Sequence, residues 1–245
     1  MTYCVAIRVD KGIVMLSDTR TNAGVDNIGR FRKTFTYEVP GERAIGMMCS
    51  GNLSITQAVL TSLSRTIKEA NGDPEVETLL NCGTMHRAAQ IVGHAMAAVQ
   101  HQYRSTLEMK GAAADATMLV AGQRKGGKPR LYMIYSAGNF IEATTDNPFF
   151  QIGEHKYGKP ILDRIVTPST SLEDAAKAAC VSMDSTLRSN LSVGMPLDLS
   201  VIERDAFAFR VRRRIEPDEA EFATISDSWS QALRRGFEDL PTILD

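Results

Sequence analysis

The residues best suited to chemistry stand at the start of the chain, which begins Met1-Thr2-Tyr3. Methionine is readily removed when the next side chain is small, and its removal would make Thr2 the first residue. A terminal Thr carries a hydroxyl nucleophile and a free α-amine on one residue. The amine has a reference pKa of about 7.7–8.0, so its neutral form can take the hydroxyl proton near pH 7. We therefore predict a self-activated nucleophile at Thr2, with a chance Met-Thr start as the alternative.

Three further residues have the types that such a nucleophile needs. A nearby cation would favour the neutral amine and stabilise the developing alkoxide, and Lys33 is the candidate. Asp18, predicted at the end of the second strand, could hold that cation in place. Gly51, at a predicted strand-to-helix junction, could donate its N–H to an oxyanion with the helix dipole behind it. An ordinary surface Asp and Lys are the alternative interpretation.

Composition excludes several classes of function. The chain has 245 residues, of which 43% are hydrophobic and 23% charged, and its formal net charge is −1. This is an ordinary globular composition without a basic field for nucleic acid or anionic membranes. We expect neither a nucleic-acid nor a membrane partner, since no apolar run approaches the ~18–20 residues of a membrane span and no secretory signal is visible. The short basic run over 210–214 is interpreted as a solvated strand end or a subunit contact.

The cysteines and histidines point to no metal or redox centre. Four cysteines are widely scattered without a C-x-x-C pair, which favours free, buried thiols in a reducing cytoplasm. His86, His94 and His101 follow one face of a predicted helix, but neighbours are about 10–12 Å apart along its axis, too far to share a metal. We expect no cofactor. A cysteine enzyme using Cys4 or Cys49 is a further alternative, although no histidine lies in the early strands to activate a thiol.

The hydrophobic pattern predicts strands grouped around pairs of helices. Alternation over 3–9 and an apolar return over 13–17 predict an opening hairpin. Helical spacing predicts helices from about 53 to 70, about 75–103, about 155–165, from Ser171 to about Arg188, and 216–240. The remaining strands are predicted near 31–39, 44–49, 117–120, 131–135, 140–144, 149–153, 197–202 and 206–211. This order suggests two sheets packed together with helices outside, in one domain.

Taken together, these motifs resemble the proteasome β-subunit family, which includes the bacterial peptidase subunit HslV. The resemblance rests on Thr2, Ser17-Asp18-Thr19-Arg20, Lys33 and Ser50-Gly51-Asn52, and it covers about residues 2–213. The separation of Thr2 from Asp18 matches the family, and that of Lys33 is within one residue. Later landmarks are Gly138-Asn139, Gln151-Ile152-Gly153 and Arg188-Ser189-Asn190-Leu191-Ser192. The start of the chain, Tyr157-Gly158-Lys159-Pro160 and the C-terminal extension look closest to the Anbu branch, the bacterial "ancestral β-subunit".

The resemblance implies an α+β fold, a four-layer αββα sandwich of the N-terminal nucleophile hydrolase type. We expect this domain to span residues 1–213, and an amphipathic helical extension over 214–245 to pack on it or on a neighbouring subunit. By analogy, Thr2 is nucleophile and base, Lys33 the electrostatic activator, Asp18 its partner and Gly51 the oxyanion donor. Thr21, Phe31, Cys49 and Leu53 would line the substrate pocket and suggest an apolar preference. Self-assembly into a ring or a ring-like stack is also implied.

The chain departs from the family pattern near the expected amine. The usual Asp of the Arg-Asp-x-x-Ser-Gly stretch is Ser189 here, although Ser192 is kept. At the position after Gly138, where the family has Ser, this chain has Asn139. A missing carboxylate removes an acceptor that would orient the amine, although Ser189 could hydrogen-bond to it. No propeptide precedes Thr2, so maturation would consist of methionine removal alone.

These observations lead to one leading hypothesis and two alternatives. The first is a self-compartmentalised threonine peptidase that acts on peptides or unfolded proteins, with any partner ATPase unidentified. A variant of the same class would hydrolyse small amides. The alternative from another class is a catalytically silent, self-assembling scaffold, which the Ser189 departure favours.

Overall fold

The computed structural model describes residues 2–23 and 27–243. The strands are β1 (Tyr3–Val9), β2 (Gly12–Asp18), β3 (Arg20–Ala23), β4 (Asn27–Arg30), β5 (Thr34–Val39), β6 (Arg43–Gly51), β7 (Ala116–Arg124), β8 (Arg130–Ile134), β9 (Phe140–Glu142), β10 (Phe149–Gly153), β11 (Leu197–Glu203) and β12 (Phe209–Ile215). The helices are α1 (Leu53–Ala70), α2 (Met85–Met109), α3 (Lys159–Ile165), α4 (Leu172–Ser189) and α5 (Ala220–Glu238).

The strands form two five-stranded antiparallel sheets and a small ribbon. The first sheet has the order β10-β1-β2-β11-β12, and the second has the order β5-β6-β7-β8-β9. The ribbon pairs β3 with β4. The first strand therefore lies inside its sheet, with β10 on one side and the hairpin partner β2 on the other.

Three buried apolar clusters show how these elements stack. One lies between the first sheet and α3 and α4, and a second lies between the second sheet and α1 and α2. The third fills the space between the two sheets. The strand β1 contributes to two of these clusters, because Tyr3 and Val5 face the helices whereas Cys4 and Ala6 face the other sheet. The predicted four-layer αββα sandwich is confirmed.

The start and end of α2 differ from the sequence prediction, which began this helix near residue 75. The helix begins at Met85, after the Thr84 side chain accepts a hydrogen bond from the Arg87 N–H. Before it, the Asn81 side chain bonds to both the backbone and the hydroxyl of Thr78, which holds this segment in turns. These local bonds compete with helix formation. By contrast, the predicted helices that became α1 and α4 are confirmed.

The last strand was predicted too early, at 206–211. It begins at Phe209 because Asp205 and Phe207 both have left-handed backbone conformations, with φ of +64° and +52°. The Gln123 side chain fixes this turn by accepting from the Asp205 N–H and donating to its carboxylate. The basic run over 210–214 therefore lies along the edge strand β12, where its arginines are exposed.

The C-terminal helix α5 packs on the body only in its first half. Phe222 and Ile225 contact the cluster under α4. In the second half, Leu233 and Phe237 are 55% and 75% exposed and share one helix face, and Leu240, just after the helix, is 62% exposed. The strand β12 continues to Ile215, and the division of the chain at residue 213 stays a prediction.

The buried and exposed methionines of α2 provide a test of this packing. Met96 is fully buried against the second sheet, whereas Met109 is 78% exposed. We expect Met96→Ala to lower the free energy of unfolding by about 2–5 kcal/mol, because it leaves a cavity in the core. Met109→Ala in the same helix is the control and should change it by less than about 0.5 kcal/mol. Urea unfolding curves of both variants would measure the difference, and similar midpoints would contradict the assigned packing.

Candidate active site

A cavity of about 300 Å³ brings together residues from the start of β1, the ribbon, the entry to β5 and the β6–α1 junction. Its lining consists of Thr2, Thr21, Arg32, Lys33, Cys49, Ser50, Gly51, Leu53, Thr56 and Gly153. Six of the predicted site residues therefore meet in one place: Thr2, Lys33, Gly51, Thr21, Cys49 and Leu53. Phe31 is not among the lining residues and is 41% exposed, although its N–H donates to the Thr19 carbonyl.

A buried ion pair lies at the base of this cavity. The Lys33 Nζ donates to the Asp18 Oδ1 at 2.6 Å, and the two side chains are only 5% and 0% exposed. Lys33 also donates to the Arg20 carbonyl at 2.6 Å. Burial raises the pKa of Asp18 above its ordinary value, while the Lys33 charge and hydrogen bond act in the opposite direction. The positive charge of Lys33 is thus held at a defined point beside the cavity.

The same carboxylate fastens two backbone segments. Its Oδ1 accepts from the Tyr3 N–H at 3.0 Å, and its Oδ2 accepts from the Gly194 N–H at 3.3 Å. The first bond fixes the residue that directly follows Thr2. The second fixes the loop that follows α4, so Asp18 positions both the candidate nucleophile and the neighbouring loop.

Gly51 occupies a position that requires glycine. Its φ is +100°, and a Cβ built there would lie 2.3 Å from the Asp115 carbonyl oxygen. The next residue, Asn52, caps α1 by accepting from the N–H groups of Ser54 and Ile55. The cavity therefore borders the N-terminus of an 18-residue helix, where the helix dipole favours negative charge.

The structure does not bring the remaining predicted residues into the cavity lining. Ser189 is the last residue of α4 and is exposed. Ser192 is half-buried, and its N–H donates to the Asn190 side chain at 2.9 Å. Asn139 is exposed in the turn between β8 and β9, where Gly138 packs against Gly93 of α2. This turn lies at the β9 edge of the second sheet, away from the cavity lining, and the role of Asn139 as a site residue stays a prediction.

Four residues that the sequence analysis did not select lie at or next to the site, and one of them, Glu154, bonds to Thr2 and to a second, Asn190. The Glu154 N–H donates to the Thr2 carbonyl at 2.6 Å. The Glu154 carboxylate accepts from the Asn190 side-chain amide at 3.0 Å, and Asn190 is 8% exposed. The sequence contained one signal for Glu154. This carboxylate directly follows the Gln151-Ile152-Gly153 landmark in a chain that lacks the family's usual Asp at Ser189. Arg32 and Thr56 also line the cavity and were missed.

The cysteines near the site are poor nucleophiles in this structure. Burial raises the pKa of the Cys49 thiol to about 11 and places that of Cys4 well above its ordinary value. Both thiols are therefore protonated near neutral pH, which weakens the cysteine-enzyme alternative.

The described residues show neither a metal-binding cluster nor a membrane-spanning helix. Within 2–23 and 27–243, no group of three His, Cys, Asp or Glu side chains is placed to hold a metal ion. No helix in the described part of the chain is both long and apolar enough to span a bilayer.

The layer order, with a candidate nucleophile at the start of the first strand, is that of the N-terminal nucleophile hydrolases. Residues 2–202 match the family model described as "Proteasome subunit", and the chain belongs to this family. A comparison with curated proteins finds no match.

Solved structures of Anbu, the ancestral β-subunit, resemble the chain over nearly its full length. A mutant of Anbu from Hyphomicrobium sp. strain MC1 is 46% identical with a TM-score of 0.92, and 99% of each chain is covered. Anbu from Yersinia bercovieri is 43% identical with a TM-score of 0.89, covering 98% of each chain. The Anbu complex from Pseudomonas aeruginosa, solved as a helical assembly, is 44% identical with a TM-score of 0.89, covering 98% of this chain and 97% of that one.

Lys33 and Lys159 each lie 2.6 Å from an aspartate oxygen, but only the pair of Lys33 is buried. We therefore expect the loss of Lys33 to destabilise the protein far more than the loss of Lys159. Lys33→Met should lower the free energy of unfolding by about 3 kcal/mol or more, because it leaves the Asp18 carboxylate buried without its cation. Lys159 also lies 2.6 Å from an aspartate, Asp163, but both side chains are about half exposed. Lys159→Met is the control and should cost less than about 1 kcal/mol. Equal losses in chemical denaturation would show that the Asp18–Lys33 pair is not buried as described.

Proposed function

We propose that the protein is a threonine-type hydrolase that cleaves peptide (amide) bonds, with Thr2 as the N-terminal nucleophile after removal of Met1. The main support is that Thr2, Gly51 and Lys33 border a single cavity, and that Lys33 is paired with the buried Asp18. Family membership supports the same chemistry, since the proteasome fold supplies the architecture on which such a nucleophile acts.

The proposed reaction has two halves. The Thr2 hydroxyl oxygen attacks the carbonyl carbon of the substrate while its proton passes to the terminal amine. The Gly51 N–H stabilises the resulting oxyanion. The C–N bond then breaks, the amine returns its proton to the leaving amine of the substrate, and an ester to Thr2 remains. Water, activated by the same amine, hydrolyses this ester and releases the carboxylic acid product.

Lys33 acts in this scheme through its charge. A cation near the amine disfavours the ammonium form and so lowers its pKa, and the same cation stabilises the alkoxide that forms on Thr2. Asp18 holds the ammonium group of Lys33 and, through the Tyr3 N–H, the strand that carries Thr2. Neither residue needs to exchange a proton with the substrate.

The cavity is small enough to limit the substrate group that enters it. A volume of about 300 Å³ lies at the lower end of ligand pockets and suits one side chain of a peptide. Leu53 and Cys49 give it apolar surface, while Thr21 and the charged Arg32 lie beside them. The same small volume is the observation that favours hydrolysis of small amides as a second candidate.

Self-assembly is the proposed context of this activity. The similar Pseudomonas aeruginosa protein forms a helical assembly. The apolar face of Leu233 and Phe237 at the end of α5 is exposed in the single chain together with Leu240 just after the helix, as expected for a surface that packs on another copy. We propose a ring-like or stacked homo-oligomer in which this face contributes to the contact.

The assembly proposal predicts a charge-sensitive contact on α5. Phe237→Asp should shift the sedimentation coefficient towards that of a smaller species, because a charge in an apolar contact is poorly solvated. Gln231→Asp, on the opposite face of the same helix, is the control and should leave the distribution unchanged. Identical profiles for wild type and both variants would exclude this face as an assembly contact.

The catalytic proposal predicts covalent labelling at one residue. The purified protein should lack the mass of Met1 and gain one adduct with a β-lactone, mapped to Thr2, because only an activated hydroxyl attacks the lactone carbonyl. Thr2→Ala should abolish the adduct while leaving the free energy of unfolding within about 0.5 kcal/mol of wild type. Intact-mass and peptide mass spectrometry would measure the adduct, and urea unfolding curves would measure the stability.

Two outcomes would favour the alternatives. A retained Met1 with no adduct would favour the silent scaffold, as the exposed Ser189 in place of the usual carboxylate suggests. Labelling accompanied by turnover of small amides but not of peptides would identify an amidohydrolase.

A further inference from the structure

Glu154 is the residue that lies opposite Thr2 at the end of the sheet. The ladder of β1 and β10 pairs Cys4 with Ile152 and ends with Tyr3 opposite Gly153. Directly beyond that pair, the Glu154 N–H donates to the Thr2 carbonyl at 2.6 Å. The backbone of Glu154 is therefore next to the position where the amine forms.

Gly153 makes this close approach possible. Its φ is +83°, and a Cβ built there would lie 2.1 Å from the Thr2 carbonyl oxygen and 3.1 Å from the Thr2 Cβ. A glycine at this position lets the chain turn directly over Thr2. The turn carries the side chain of the following residue, Glu154, past the end of β1.

The Glu154 carboxylate is held by several donors. One oxygen accepts from the N–H groups of His155 and Lys156, both at 2.9 Å, and the other accepts from the Asn190 amide at 3.0 Å. Partial burial raises the pKa of Glu154, but these hydrogen bonds outweigh it and hold the pKa below its ordinary value. The group is thus a carboxylate at neutral pH.

Asn190 ties this carboxylate to the Asp18–Lys33 pair. Asn190 begins a loop whose far end, Gly194, donates to Asp18. Within the loop, the Leu191 carbonyl accepts from Arg20, and the Arg20 carbonyl accepts from Lys33. One loop therefore connects two carboxylates, one beside the activating cation and one beside the start of β1.

We propose that Glu154, held by Asn190, is the positioning residue that accepts a hydrogen bond from the Thr2 amine once Met1 is removed. The inference rests on the proposed function in that it assigns the acceptor for the same nucleophile. Glu154 supplies the carboxylate that the sequence pattern lacks at Ser189. Ser189 is exposed at the end of α4, whereas Asn190 is buried and directed to Glu154.

With this assignment, two groups of opposite charge act on the pKa of the amine. Lys33 lowers the amine pKa by like-charge repulsion, and Glu154 raises it because an anion favours the ammonium form. Glu154 also fixes the direction of the nitrogen lone pair that must receive the hydroxyl proton. Replacing the carboxylate should therefore change both the pKa of the amine and the reactivity of the hydroxyl.

The test uses residues 2–245 with Thr2 freed by cleavage of an N-terminal fusion. The rate of acylation of the Thr2 amine by an N-hydroxysuccinimide ester, followed by peptide mass spectrometry from pH 5 to 10, reports the amine pKa. Glu154→Gln should lower the midpoint by about one unit or more. Glu154→Asp should keep most of the charge effect. Glu142→Gln is the control, since Glu142 is also half-buried but pairs with Arg130 on the second sheet.

A second readout follows the hydroxyl. The plateau rate of β-lactone labelling at Thr2 should fall about tenfold or more in Glu154→Gln, because the base is no longer oriented. A purely structural role for Glu154 would lower the unfolding midpoint without moving the amine titration. Asn190→Ala should reproduce part of both effects, because it releases the carboxylate from its amide donor.

The outcomes separate this inference from the proposed function. An unchanged amine midpoint in Glu154→Gln, with normal labelling of wild type, overturns the role of Glu154 and leaves the threonine hydrolase intact. A shifted midpoint in a protein whose hydroxyl never labels supports the Glu154 contact and refutes the hydrolase.

Discussion

The ion pair of Asp18 and Lys33 is the interaction on which the site depends. Removing two charges from water is expensive, and their attraction offsets that loss only when further hydrogen bonds satisfy the pair. Here those bonds come from the Tyr3 N–H, the Gly194 N–H and the Arg20 carbonyl. Because the buried pair needs these hydrogen bonds, the first strand, the ribbon and the loop after α4 meet at the pair. The same pair fixes the position of a positive charge beside Thr2.

The position of the first strand explains how a chain terminus can become part of a rigid site. Termini are usually poorly ordered unless a sheet or helix holds them. Here β1 lies between β2 and β10 and is buried on both faces, by the helix layer on one side and the second sheet on the other. Thr2, which directly precedes the strand, is held from both flanks, by Asp18 through the Tyr3 N–H and by the Glu154 N–H. A nucleophile at the start of this strand is therefore held in place by the neighbouring strands.

Much of the fold and half of the site followed from local patterns. The alternation of β1, the helical spacing in α1 and α4, and the glycine at the β6–α1 junction are short-range features, and each led to a correct element. The misplaced boundaries have local causes that spacing does not reveal, such as the Asn81 turn before α2 and the left-handed Phe207 before β12. Asn139 was assigned by a Gly-containing motif, yet its turn lies at the far edge of the second sheet.

By itself, the sequence determined the two-sheet sandwich and placed a Thr, a Lys and an Asp as candidates for one site, because strand alternation, helix spacing and residue type are properties of short segments. Only the tertiary structure decided that the N–H of Glu154 bonds to the Thr2 carbonyl and that Asn190 holds the carboxylate of the same residue. Ser189 and Asn190 are adjacent in the chain, but the end of α4 leaves the first exposed and turns the second towards Glu154. That choice depends on where α4 ends and on the pairing of β10 with β1. These two strands are more than a hundred residues apart in the chain. No local pattern carries that information.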